Sequence, residues 1–108
     1  MPTTILFHIT EETTWQAAQN QGVYRAASLA TEGFIHLSES GQVKWVGNQF
    51  YRGQSGLVLL EIDADLLQSE LRYDCVPGHG TFPHLYGPLN LDAVVRVWPF
   101  EPGDDVPV

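Results

Sequence analysis

The sequence holds a single cysteine, Cys75, in 108 residues. An intramolecular disulfide is therefore excluded, and nothing points to an oxidising compartment. The neighbours Val76, Pro77 and Gly78 offer no charge that would activate a thiol, so Cys75 reads as an incidental loop residue. Basic residues are scarce as well: Lys and Arg total 5 against 13 Asp and Glu, a formal charge of −8. Arg25, Lys44, Arg52, Arg72 and Arg96 are scattered and never adjacent. The clustered cations that displace counterions from nucleic acid are missing, which excludes DNA as an expected partner and disfavours RNA. An anionic membrane surface is disfavoured for the same reason. No apolar run approaches the length of a membrane span, and Met1-Pro2-Thr3-Thr4 lacks the basic start and apolar core of a signal peptide. The expectation is a cytoplasmic protein.

Several motifs are also absent. There is no Gly-rich phosphate loop, no Gly-x-Ser-x-Gly elbow, no Cys pair and no His-Glu-x-x-His pattern. His79 and His84 stand five apart across a loop and Cys75 four before His79, which is poor metal-ligand spacing. No metal site is expected, and no cofactor is certain from the sequence.

What is present is an ordinary globular composition. With 44% hydrophobic and 17% charged residues, the chain can build its own core. At this length it forms one domain that buries roughly 60–70% of the surface its unfolded form exposes. The reading places one α+β domain over residues 1–100 and a flexible acidic tail over 101–108, where Glu101, Asp104 and Asp105 lie among Pro and Gly.

Thr3 to Ile9 is β-rich and ends at His8, just before Thr10, a plausible N-cap for a helix from about Glu11 to Gln21 that Gly22 closes. Ser28-Leu29 begins a turn or short helix. A strand near Gly33 to Leu37 leads through Ser38 and Ser40, both cap candidates, to a helix from about Gly41 to Tyr51, in which Val43, Val46, Gly47 and Phe50 make one buried face with a close-approach glycine. Leu57 to Asp63 is a nearly continuous apolar run of the kind found mid-sheet, and Asp63 caps one helical turn. Leu71 to Asp74 reads as a short strand, and Cys75 to Thr81 as a mobile loop in which His79 is solvated. Two prolines and a glycine in Phe82-Pro83-His84-Leu85-Tyr86-Gly87-Pro88 suggest an unusual backbone path, with His84 and Tyr86 pointing the same way. Ala93 to Phe100 is the last strand.

His8 and His36 both close a strand just before a helix starts. A helix N-terminus presents unpaired N–H groups and accepts phosphate or carboxylate without Lys or Arg, and a histidine beside it can donate to the same ligand. A purely structural His36, paired to a backbone carbonyl, fits the same stretch.

Leu6-Phe7-His8-Ile9-Thr10, Trp15, Tyr24, Glu32 to Ser38, Gln42, Asn48 to Tyr51, Leu57 to Asp63 and Phe82 to Leu89 together resemble a small bacterial family catalogued as domain-of-unknown-function 952. The resemblance covers everything but the tail. It implies an ADP-ribosyltransferase-like fold: two small facing antiparallel sheets with about two helices and a cleft for NAD between them. Phe7-His8-Ile9-Thr10 is similar to the His-x-Thr end of the first strand in RNA 2′-phosphotransferases and related toxins, and His36-Leu37-Ser38 to the His-Leu-Ser block of those phosphotransferases. By that resemblance His8 would bond the ribose or a backbone-anchored part of the ligand, and His36 with Ser38 would line the nicotinamide or phosphate end. The glutamate that such transferases carry on a late strand has no equivalent; His84 and Tyr86 occupy that region instead.

The resulting expectation is a cytoplasmic enzyme that transfers or hydrolyses a small NAD-derived or phosphorylated nucleotide. His36, His84 and Tyr86 are the catalytic candidates, as general acid, base and donor. His8, Thr10, Ser38, Gln42, Tyr51 and Arg52 are the ligand-binding candidates, and NAD is a possible substrate. The alternative is a non-catalytic module that binds a small metabolite or a partner through the same cleft.

Overall fold

The computed structural model describes residues 4–106. Strand β1 (Ile5–Glu11) is the first element, and the stretch before Ile5 where the sequence places its start includes Thr3, outside the described residues. β1 pairs antiparallel with β4 (Leu57–Asp63), from Ile5 opposite Asp63 to Glu11 opposite Leu57. β4 in turn pairs antiparallel with β8 (Val94–Phe100) and is the central strand of the three, which is why its run is apolar on both faces.

Alternation along β1 and β4 divides their side chains between two cores. Leu6, Val58, Leu60 and Ile62 face a cluster containing Trp15 and Ala18 of helix α1 (Glu12–Gln21), with Tyr24, Ile35, Leu37, Leu85 and Leu89. Phe7, Ile9, Leu57 and Leu59 face Val43 of helix α3 (Val43–Phe50) and Phe100. Gly47 of α3 packs on that ring: a Cβ there would stand 3.0 Å from the Phe100 Cζ, the close approach the sequence suggested. Gly22 ends α1 in the left-handed region, at φ 84°, with its N–H bonded to the Ala18 carbonyl.

Two further sheets complete the α+β domain. β2 (Val23–Tyr24) pairs with β7 (Leu89–Asn90), and a three-stranded antiparallel sheet runs in the order β3 (Ile35–His36), β6 (Gly80–Tyr86), β5 (Glu70–Val76). Ile35 and Leu85 of this sheet share the first core with Leu60 and Ile62, so the two three-stranded sheets close on one another. Helix α2 (Ala27–Thr31) precedes β3, which makes three α-helices among the described residues where about two helices were expected.

Several local expectations are revised. The residue preceding α1 is Glu11, not Thr10, and the turn before α3 is capped by Glu39 in a reciprocal pair with Gln42, not by Ser38 or Ser40. That turn is a 3₁₀ helix, Ser40–Gln42, so α3 begins two residues later than the sequence suggested. The expected loop over Cys75 to Thr81 is mostly hairpin: β5 runs to Val76, β6 starts at Gly80, and the His79 N–H closes the turn on the Val76 carbonyl. Pro83 sits inside a regular strand. The chain after Phe100, expected as a flexible acidic tail, turns at Glu101 to Asp104, where each backbone N–H is bonded to the other residue. Val106 then packs against the second core.

Pro83 also decides where β3 ends. The Leu37 N–H donates to the Pro83 carbonyl, 3.0 Å away, but proline has no N–H to return, and the ladder stops. One residue on, Ser38 exchanges both backbone bonds with Phe7, at 2.8 Å each. The chain thus crosses from one sheet to the other immediately after His36.

Candidate functional site

His36 lies opposite His84, one residue before the bonded pair of Leu37 and Pro83. In an antiparallel ladder such a residue turns its own N–H and C=O away from the partner strand, and its side chain comes close to the residue opposite. Both consequences are observed. The His36 carbonyl points toward β1 and accepts a 2.6 Å bond from the His8 ring, while the His36 and His84 rings meet edge to face with centroids 5.2 Å apart. His36 is the hinge between two groups of candidate residues.

The first group lines a cleft of about 450 Å³ between β1, the β2–α2 segment and the end of α3. His8, Thr10, His36 and Tyr51 from the sequence-based set line it. Tyr24, Ser28, Phe50 and Glu11 join them. His8 is buried, and desolvation pulls its pKa down to about 4, against the opposing bond to the His36 carbonyl, so the ring is neutral at pH 7. A carbonyl only accepts, so Nδ1 carries the proton and Nε2 is a bare acceptor. The Tyr24 hydroxyl, 2.7 Å from Nε2, donates to it. Thr10 Oγ1 lies 3.0 Å from the same hydroxyl, and since the tyrosine proton is used on His8, Thr10 is the donor there. The result is a directed chain from Thr10 through Tyr24 and His8 to the His36 carbonyl. Burial pushes the Tyr24 phenol up to about 12. Burial, and then the Glu11 carboxylate, raise that of Tyr51, whose hydroxyl is 3.3 Å from the Ile9 carbonyl.

The second group lies on the outer face of the β3–β6–β5 sheet. His84 Nδ1 donates to Asp74 Oδ2 at 2.8 Å, and the Tyr86 hydroxyl donates to the same oxygen. Those bonds, Tyr86 first and His84 second, hold the Asp74 carboxyl below its ordinary range, and the carboxylate in turn raises the Tyr86 phenol. Phe34 stacks on the His84 ring at 4.1 Å and 18°. His84 is only 5% exposed. Its Nε2 takes no hydrogen bond among the described residues, and no fully buried side-chain nitrogen among them lacks a partner, so Nε2 reaches solvent. His36 Nε2 is 2.9 Å from Glu32 Oε2, which gives each of the two facing histidines its own carboxylate. The Arg72 guanidinium lies 4.7 Å from the Tyr86 ring centre and is paired with Glu70.

The remaining candidates stand elsewhere. Ser38 is buried and spends its backbone on Phe7. Gln42 accepts from the Glu39 N–H and donates to the Thr81 carbonyl. Arg52 is exposed just after α3 and is not in the cleft lining. Sequence reasoning passed over Tyr24, Glu11 and Asp74. Tyr24 entered only among the residues that carry the family resemblance, Glu11 read as the start of a helix, and Asp74 lies on β5, whose face toward His84 depends on a register no local pattern sets. Among the described residues no three His, Cys, Asp or Glu side chains are grouped to hold a metal ion, and no helix is long and apolar enough to cross a membrane.

An α+β domain with this paired arrangement of histidines has relatives. The model of the family described as "Protein of unknown function (DUF952)" matches residues 9–97, and the chain belongs to that family. The crystal structure of protein CC0527 from Caulobacter crescentus is similar, with a TM-score of 0.82 and 36% identity over 89% of this chain and 85% of that one. The solution NMR structure of CC0527 gives a TM-score of 0.78 with 35% identity over 90% and 84%. No curated protein matches the sequence.

Proposed function

We propose that this protein is a cytoplasmic enzyme that binds a small NAD-derived or phosphorylated nucleotide in the His8–Tyr24–Tyr51 cleft and transfers or hydrolyses part of it at the His36–His84 pair. The observation that carries the reading is that His36 belongs to both groups: it lines the cleft, and its ring stands 5.2 Å from that of His84. Two sheets closing on a common core, with a cleft at the end of the first strand, fit the ADP-ribosyltransferase-like architecture that the resemblance implies. Tyr24, Tyr51 and Phe50 give the cleft aromatic walls, and Ser28 and Thr10 add hydroxyls. No Lys or Arg lines it, while Glu11 does, so the ligand part that fits inside is neutral or cationic, such as the nicotinamide riboside end, with phosphates directed outward.

At the histidine pair, Asp74 fixes the proton of His84 on Nδ1 and leaves Nε2 free to take a proton from an attacking water or hydroxyl. His36, oriented by Glu32, is placed to protonate a leaving group. Calorimetric titration with NAD, ADP-ribose and a short 2′-phosphorylated nucleotide, followed by chromatography for released nicotinamide or phosphate, tests the proposal. Saturable binding that a folded His36→Ala variant loses is expected; unchanged affinity in that variant would sink it.

One observation favours the second reading, a binding module without turnover. The only histidine ring deep in the cleft, His8, is neutral and has both nitrogens occupied, so the cleft itself holds no free imidazole base. Binding with no product after prolonged incubation would select that reading.

A further inference from the structure

We propose that a second hollow, between the start of α3 and the β5–β6 hairpin, is a subsite for a planar heteroaromatic ring, and that it takes the base at the far end of the nucleotide whose other end enters the cleft. The nucleotide identity rests on the preceding proposal; the ring-binding character of the hollow stands on its own lining. That lining is Gly41, Gln42, Trp45, Gly78, His79 and Phe82, around about 330 Å³. Three of the six are aromatic: the Trp45 ring is 4.7 Å from His79 and 6.0 Å from Phe82, centre to centre. Trp45 packs against both other rings, so the hollow carries one continuous aromatic surface on which the face of a base can stack, with a stabilisation that does not depend on which base it is.

The hollow is held in shape by bonds that leave it free of side-chain obstruction. Gln42 ties the start of α3 to the Thr81 carbonyl of β6, and so fixes Trp45 relative to Phe82. Gly41 and Gly78 leave two walls without side chains, and a Cβ at either would meet nothing within 4 Å. The His79 ring is exposed, takes no hydrogen bond among the described residues, and offers a donor or acceptor to a ring edge. Continuity with the cleft comes through Phe50, which lines the cleft and meets the Trp45 ring edge to face at 5.7 Å. One ligand with rings at both ends can therefore straddle α3. A chain with a formal charge of −8 would gain more from such neutral stacking than from attracting phosphates.

The test is calorimetric titration of the intact protein with adenosine and with nicotinamide riboside, singly and together, while following the Trp45 indole N–H by NMR. Adenosine is expected to bind, to move the Trp45 signal, and to remain bound in the presence of nicotinamide riboside. Affinity should fall at least about tenfold in Trp45→Leu and in Gly41→Leu, the second placing a side chain in open space and so keeping the test valid if the first fails to fold. Absent adenosine binding, or binding unchanged in both folded variants, would overturn the subsite, and displacement by nicotinamide riboside would overturn the assignment of the nucleotide's two ends to two separate places. Trp45-dependent adenosine binding without any nicotinamide riboside binding would uphold the subsite and reject the cleft reading instead.

Discussion

Acidification should unfold this protein partly through His8, and the effect can be separated from ordinary acid denaturation. The folded ring has a pKa of about 4 against an ordinary 6.5, because burial strips solvent from the cation. The unfolded chain therefore binds a proton at His8 below about pH 6.5, while the folded protein does not until about pH 4. Within that window the unfolded state holds more protons, so stability rises with pH; the contribution is complete above 6.5 and is lost as pH falls toward 4. Linkage between those two values gives a loss of about 2.5 kcal/mol by pH 4.5. For a domain of this size that corresponds to roughly 10–20 °C in Tm. Urea unfolding at pH 7 and pH 4.5 should be compared between the wild type and His8→Asn, whose amide can still donate to the His36 carbonyl but does not titrate. The variant will be less stable at pH 7, and its loss on acidification should be smaller by about 2.5 kcal/mol, because the carboxylates common to both chains cancel. Parallel pH curves for the two proteins, or a His8 imidazole that titrates near 6.5 by NMR, would refute the argument.

Three more perturbations probe the same framework. Tyr24→Phe removes the hydroxyl that donates to His8 Nε2 and leaves that buried acceptor empty, so chemical denaturation should show a loss of about 1–3 kcal/mol. Asp74→Asn removes the charge that raises the Tyr86 phenol; ultraviolet titration, with Tyr86→Phe to assign the step, should show that phenol ionising at lower pH than in the wild type. Leu60→Ala, at a fully buried position on the central strand between the two sheets, should cost about 2–5 kcal/mol by equilibrium unfolding.

The elements whose signals are local were legible. The apolar run of β4, the Gly22 stop, the one-turn cap at Asp63 and the Gly47 contact all follow from residues within a few positions of one another. The errors share a cause: a competing tertiary demand. Thr10 has the chemistry of an N-cap, but its hydroxyl is drawn into the Tyr24 bond. Glu39 replaces the serines because its partner Gln42 completes the reciprocal cap and also reaches Thr81, a residue 39 positions away. Pro83 argues against a regular strand only if its missing N–H is needed, and here it falls where β3 departs. The candidate site was half visible for the same reason. His8, His36, His84, Tyr51 and Tyr86 declare themselves as chemistry, whereas Tyr24, Asp74 and Glu11 acquire their places only from the fold: Tyr24 from its bond to His8, Asp74 from strand register and Glu11 from the way β1 ends.

That register also explains why the histidines form two groups and not one. His8 faces the core between the sheets, while His84 is on the outer face of β6, so the two rings stand on opposite sides of the β3–β6–β5 sheet and meet only at its β3 edge, where His36 lies. His36 connects them because its backbone and its ring point different ways, the carbonyl to His8 and the imidazole to His84. The connection depends on β3 being short. If residue 83 could return a hydrogen bond, Ser38 would have reason to stay on β6, Phe7 would lose its partner, and the His36 carbonyl would no longer be held against β1. A proline in mid-strand therefore leaves His36 with its carbonyl on a buried neutral histidine and its ring against a carboxylate-paired one.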